Sequence, residues 1–535
     1  MPNTAELIAA RLAQAGCKHA FCIPGGEVLA IVDALHRVGI KVVLAKHENC
    51  AGFMGEGVYH SNGAPAVLVA TIGPGIANAA NVIANAFQDR VPMIVLTGCV
   101  TNVDQHTYTH QVFDHLKLIE PISKAVFRVE DGTAAILADK AVAISTQGRP
   151  GPVLLDVPVD VQTRQQPGAP TPVHAPQAPM APAHGPALQT ARKWLAEARR
   201  PLVIAGLDVL TQNAAPAVQQ FCRRFSAPLI TTYKAKGVLA EDDPLAMGAA
   251  GLSPRVNAHL LPLVALSDCV VLAGYDPIEM RDDWRHPWPQ GARVIDFSGV
   301  PNRHSMHQAA LDFVGAIGPG LKALGTGLEP RQTWPGAEPA AIKSTLRAES
   351  RLDETWGPAA IVDTLQKSLP RDAVVTTDAG AHRIVLSQLF ECYAPSGLLQ
   401  SSGLCTMGCA VPLAIGAKLA EPNRAVVATV GDAGLEMFLG ELATIRDLKL
   451  AIPIIVFVDR QLALIELKQR KSQLANLAVE FGATDFPAVA RALGGAGVWV
   501  RDRATLAREI EAALTRDTFT ILAATLERCS YDDRI

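Results

Sequence analysis

The chain has 535 residues, a net charge of −3, 49% hydrophobic residues and 19% charged ones. That composition belongs to a well-buried globular protein with room for about three domains of ordinary size. With no basic block and no apolar run near the roughly 18 residues needed to cross a bilayer, neither nucleic acid nor a membrane is an expected partner.

The start, MPNTAELIAARLAQAG, reads as an amphipathic helix without a signal-peptide layout. The 10 Cys form no CxxC pair, which argues against a zinc site or disulfide framework and for a reducing, cytoplasmic setting. Through 1–162, helical spacing (Leu7, Ala10, Leu12; Ile31, Leu35) alternates with short apolar runs at His19–Ile23, Val42–Ala45, Ala66–Ala70, Met93–Thr97 and Val153–Val157. That alternation predicts a parallel sheet covered on both faces. Residues 163–186 are rich in Pro and Ala and read as an extended linker. A second α/β pattern spans 187–325, with strands expected at Pro201–Ala205, Leu229–Thr232, Val270–Ala273 and Val294–Phe297. A Pro/Gly-rich stretch at 325–339 reads as a second linker, and a third α/β pattern covers 355–530. The expected architecture is α/β: three doubly wound domains with parallel sheets.

Chemistry concentrates just past the expected strands. Gly431-Asp432-Ala433-Gly434 ends the run Ala425–Val430, and Asp459 ends the run Ile452–Val458, 27 positions later. If these strands are parallel neighbours, both carboxylates emerge at one sheet edge, where they suit a divalent cation holding a diphosphate. Upstream, His47-Glu48 follows a strand and opens a small-residue helix. On position alone, a solvated helix-start Glu is the simpler reading. Thr71-Ile72-Gly73-Pro74-Gly75 is a strand end with a tight turn. Gln111 falls in a polar loop with His106, His110 and His115, whose spacings also fit one helix face. In the third segment Asp378-Ala379-Gly380-Ala381-His382 follows a strand, and Gly403-Leu404-Cys405-Thr406-Met407-Gly408 precedes an apolar helix. Neither Gly431–Glu436 nor Gly206–Val209 fits GxGxxG, which opposes a nicotinamide dehydrogenase.

Taken together and in this order, these stretches resemble the thiamine-diphosphate enzymes of the acetolactate synthase, pyruvate oxidase and 2-oxo acid decarboxylase superfamily. The resemblance covers nearly the whole chain. The Gly274–Glu279 stretch, the His110-Gln111 pair and the run from Asp459 through Val479–Phe486 are most similar to catabolic-type acetolactate synthases.

The resemblance implies a pyrimidine-binding (Pyr) domain at 1–162, a central domain at 187–325 and a diphosphate-binding (PP) domain at 355–530. It implies thiamine diphosphate held through Mg²⁺, with Asp432, Asp459 and the Gln461 carbonyl as metal ligands. It assigns Gly73, Gly75, Asp378, Gly380, His382, Cys405, Met407, Gly408, Gly431, Ala433, Gly434, Gln461 and Leu462 to the cofactor. Glu48, Gln111 and His110 are implied to be catalytic, with Glu48 hydrogen-bonded to the aminopyrimidine. It implies a 2-oxo acid and a carbonyl acceptor as substrates, with aldehyde release as the alternative outcome. It also implies a homodimer at least, a homotetramer being expected, because Glu48 and the PP motif of one site come from different subunits. Ala433 replaces a glycine of the family motif, and Asp459 an asparagine. Glu27 and Ala30 stand where the catabolic enzymes tend to carry lysines, and Lys468 where the anabolic ones have a Trp. The central segment has no clear glycine-rich flavin loop, which argues against FAD.

Overall fold

A computed structural model describes residues 1–166, 178–278 and 280–535 of the protein. Most of the first expected linker, 167–177, and Glu279 of the Gly274–Glu279 stretch lie outside the described residues.

Three six-stranded sheets follow one another along the chain. The first contains β1 (His19–Ile23), β2 (Lys41–Leu44), β3 (Ala66–Ala70), β4 (Met93–Cys99), β5 (Ala125–Arg128) and β6 (Pro152–Pro158), in the order β2-β1-β3-β4-β6-β5. The second contains β7 (Pro201–Ala205), β8 (Leu229–Thr231), β9 (Ala246–Ala249), β10 (Cys269–Ala273), β11 (Arg293–Ser298) and β12 (Leu311–Val314), in the order β12-β11-β10-β7-β8-β9. The third contains β13 (Val374–Thr377), β14 (Leu398–Gln400), β15 (Val426–Gly431), β16 (Ile452–Val458), β17 (Ala496–Val500) and β18 (Phe519–Thr525), in the order β14-β13-β15-β16-β18-β17. The strand pairs are parallel throughout the described sheets. β3, β4, β6 and β16 are buried at every residue, as sheets with helices on both faces require.

The first and third sheets share one strand order, a kinship that no residue-level repeat announces. The second differs: its order reverses between β7 and β10, as in the doubly wound nucleotide-binding sheets.

The structure corrects the sequence reading in two places. Strands β17 and β18 are not singled out by the sequence, and β5, β9, β12 and β14 carry too few apolar residues, or too short a run, to stand out. The stretch 325–339 is not a free linker: Trp334 is buried and its Nε1 donates to the Pro201 carbonyl at 2.8 Å, tying the chain to the start of β7.

The helix Glu48–Asn62 welds the first domain to the third. It packs on the helix Ala410–Ala420 with backbones nearly touching. A Cβ on Gly57 would stand 2.2 Å from the Leu413 carbonyl oxygen, and one on Gly416 would stand 1.9 Å from that of Met54. This contact explains the run of small residues after Glu48.

Candidate active site

β15 and β16 are parallel neighbours, in register from Ala428↔Ile454 to Gly431↔Phe457. Asp432 follows the last residue of β15 and Asp459 the last residue of β16, and they emerge together. Asp432 Oδ2 accepts from the backbone N–H groups of Asp459 (3.1 Å) and Arg460 (2.7 Å), and its Oδ1 from that of Ala433 (2.9 Å). Asp459 Oδ1 accepts from Gln461 N at 3.1 Å. Burial lifts the Asp432 pKa despite these donors. Burial, and then the Asp432 charge, push Asp459 up to about 7. Two buried carboxylates facing each other this way fit a bound cation. Among the described residues no three His, Cys, Asp or Glu side chains gather as a metal cluster. The remaining ligands would therefore be a backbone carbonyl such as that of Gln461 and oxygens of the ligand.

The pair opens on a cavity of about 220 Å³. Gly380, His382, Gly431, Ala433 and Gly434 line it together with Cys405, Met407, Gln461 and Leu462. All its lining residues lie between 379 and 531, so Glu48 does not reach it within one chain.

Asp378 supports this cavity from behind. Its Oδ1 is 2.8 Å from His382 Nε2 and accepts from Gly431 N at 3.2 Å, while its Oδ2 accepts from Gly408 N at 2.6 Å. One buried carboxylate thus braces three segments expected to touch the cofactor. Gly434 has no room for a side chain, since its Cβ would fall 2.0 Å from Asp378 Oδ2. Gly408 has φ 77°, and its Cβ would strike Phe438 at 2.2 Å. Ala433 is free of such limits, being helical with ordinary backbone angles.

Glu48 is the first residue of its helix and is buried. Its Oε2 accepts from Asn78 Nδ2 at 3.0 Å, and its Oε1 lies 3.6 Å from where a Cβ on Gly75 would sit. The approach to Glu48 is held by the third domain: Glu441 Oε1 accepts from Lys46 N (2.7 Å) and His47 N (3.0 Å). Gly73 turns at φ 66°, and a Cβ there would stand 2.6 Å from the Gln111 carbonyl oxygen. Gln111 itself has φ 60° and is exposed, as is His110.

The three histidines do not share a helix face. His106 closes a 3₁₀ turn, His110 lies in a loop, and His115 opens the helix His115–Ile119. His115 is buried, with Nδ1 3.0 Å from Asp156 Oδ1 and Nε2 accepting from Gly73 N at 3.3 Å. Asp156 also accepts from Thr97 Oγ1 at 2.7 Å and Arg128 Nη2 at 2.8 Å. Sequence reasoning missed this Asp156–His115–Gly73 chain, although one acid inside the apolar run Val153–Val157 was a usable signal.

In the central sheet, the loops that follow β7 and β10 approach each other closely at the point of reversal. A Cβ on Gly206 would stand 2.6 Å from the Gly274 carbonyl oxygen. Asp208 and Asp276, past β7 and β10, are each ion-paired with Arg90 and with Arg149 of the first domain, the latter at 3.2 and 3.5 Å.

Family models of thiamine pyrophosphate enzymes match all three segments: the N-terminal TPP binding domain at 2–118, the central domain at 188–324 and the C-terminal TPP binding domain at 378–524. The chain is 29% identical to an acetolactate synthase of Bacillus subtilis, over 99% of this chain and 94% of that protein. It is 30% identical to an acetolactate synthase large subunit of Parasynechococcus marenigrum (95% and 85%). It is equally similar, at 30% over 96% and 92%, to a probable 2-ketoarginine decarboxylase of Pseudomonas aeruginosa.

Proposed function

The chain belongs to the thiamine pyrophosphate enzymes, and from that premise we propose that it decarboxylates a 2-oxo acid and joins the resulting fragment to a second carbonyl, as an acetolactate synthase does. The observation that carries the proposal is the Asp432–Asp459 pair at the mouth of a cavity that also presents Met407 and Cys405. When bound, thiamine diphosphate supplies the nucleophilic carbon and the electron sink for such chemistry.

The chain's own residues then divide the work. Asp432, Asp459 and the Gln461 carbonyl are assigned to Mg²⁺, whose preference is for hard oxygen ligands. A divalent charge there offsets the burial and the Asp432 charge that raise Asp459. His382, Gly380, Gly431, Ala433 and Gly434 border the space assigned to the diphosphate. Cys405, Met407, Gly408 and Leu462 are assigned to the cofactor's rings, while Asp378 positions them rather than touching the ligand. Glu48 keeps one oxygen on Asn78 and offers the other to the aminopyrimidine, whose proton position it sets from a buried site. Gly73 and Gly75 give that ring backbone access, and Gln111 and His110 border the substrate side.

The cavity's lining by one domain supports completion by Glu48 of a second copy, hence a homodimer at least and a homotetramer by the family's habit. Asp208 and Asp276, past β7 and β10, are engaged by Arg90, and no step is assigned to a flavin.

A second reading, release of an aldehyde instead of ligation, is favoured by the likeness to the 2-ketoarginine decarboxylase. Incubation with thiamine diphosphate, Mg²⁺ and a panel of 2-oxo acids, with products read by NMR, tests both. A 2-hydroxy-2-alkyl-3-oxo acid marks ligation, an aldehyde marks the second reading, and no CO₂ from any substrate overturns the proposal.

A further inference from the structure

The turn after β1 is pressed against the ends of β3 and β4. A Cβ on Gly98 would stand 2.1 Å from the Glu27 carbonyl oxygen, and Gln162 Nε2 donates to that oxygen at 2.6 Å. The backbone at Glu27 is therefore fixed. Its side chain reaches the turn that carries Gly73 and Gly75: Thr71 Oγ1 donates to Glu27 Oε2 at 2.8 Å. The methyl of Thr71 faces the other way, 3.0 Å from a Cβ position on Gly75, and Glu48 Oε1 lies 3.6 Å from the same point. Glu27 and Glu48 thus flank one turn at the carboxyl edge of the first sheet. Among the described residues no Lys or Arg pairs with either of them.

We propose that Glu27 is a specificity-determining residue, and that it selects 2-oxo acids ending in a cationic group over pyruvate. The proposal rests on the reading of Glu48 as the residue that meets the cofactor. With Glu48 so engaged, Glu27 is the carboxylate left for the substrate. The Thr71 hydroxyl donates to its Oε2 and holds the side chain at the turn. A half-buried carboxylate gains nothing from the methyl of pyruvate. A guanidinium or ammonium at the far end of a longer 2-oxo acid supplies charge-assisted hydrogen bonds that are stronger here than in water.

The test compares kcat and KM for a series of ω-guanidino-2-oxo acids, each against its uncharged alkyl isostere and against pyruvate. Wild-type protein loaded with thiamine diphosphate and Mg²⁺ is measured beside Glu27→Gln and Glu27→Asp. The wild type is expected to favour the cationic member of each pair. Glu27→Gln should shift the ratio of kcat/KM values toward the neutral member by on the order of 10–100-fold, the range for a lost hydrogen bond to a charged group, mainly through KM. Glu27→Asp should recover part of that ratio, which a merely structural role would leave unmoved. A wild type that turns over neutral 2-oxo acids with no preference for cationic ones, and a ratio unchanged in Glu27→Gln, overturns this inference while sparing the reaction. Absence of CO₂ from every substrate overturns the reaction itself.

Discussion

Asp432 accepts a hydrogen bond from the backbone N–H of Asp459 at 3.1 Å, so the end of β16 fixes the carboxylate at the end of β15. The geometry of the proposed metal site is therefore built by the sheet itself. Two negative charges are kept close by backbone donors, at an electrostatic cost that a cation removes.

Removing either the metal or Asp432 should therefore have one result. Chelation with EDTA, or Asp432→Ala, is expected to abolish retention of thiamine diphosphate through a desalting column. Cofactor is measured in the protein fraction by its absorbance after denaturation. Unchanged retention in Asp432→Ala would place the metal elsewhere.

Glu48→Gln is expected to keep cofactor binding and lower turnover by a factor on the order of 10² or more, the range for loss of a group that controls proton transfer. Calorimetric titration with the cofactor and a CO₂ assay separate the two effects. Turnover near that of the wild type would refute the role given to Glu48.

Neighbouring positions of the Gly431–Gly434 motif should respond to different degrees. Gly434→Ala drives a methyl into Asp378 and is expected to cost roughly 1–3 kcal/mol of stability, as overpacking does, with weaker cofactor binding. Ala433→Gly meets no such contact and is expected to cost about 1 kcal/mol or less through helix propensity. Thermal unfolding of both variants, with and without cofactor, checks the contrast.

Glu56 gives a pH dependence remote from the metal. Burial, and then the Asp89 charge, push its pKa up to about 8, against Lys234 and the Asn85 hydrogen bonds, which lower it. Cys409 of the third domain faces the same cluster. The folded state holds this proton more tightly than the unfolded chain, so the stabilisation is complete below about pH 4.5, the ordinary value, and is lost as pH rises through about 8. Glu56→Gln mimics the protonated form. Its melting temperature should vary less than that of the wild type between pH 5 and 9, by about the one titrating group removed. Parallel curves for the two proteins would exclude Glu56 as that group.

The loop before Cys405 explains why part of the site was hard to see in the sequence. Asn85 Oδ1 accepts from Ser401 Oγ at 2.6 Å, and Asp89 accepts from Ser402 N and Gly403 N at 3.0 and 2.8 Å and pairs with Lys234 of the central domain at 2.9 Å. Three distant segments meet in one buried cluster, and nothing in their local spacing signals it. Asp378 is similar: its place after a strand was visible, but its role as a brace for Gly408, Gly431 and His382 depends on loops far apart in the chain.

The sequence by itself determined the α/β class, most of the long buried strands and the residues past their ends, because continuous apolar runs and Gly-rich turns are local signals. Asp432 and Asp459 were found that way, whereas Glu48 and Met407 were assigned through the resemblance to the family. Only the tertiary structure decided which strands are neighbours, and so that the first and third sheets share one order while the second reverses between β7 and β10. Hydrogen bonding between strands and the packing of Gly57 against Gly416 are non-local. The same holds for His115: its neighbours in the chain suggested a histidine face, but Asp156, arriving on β6, made it a support for Gly73 instead.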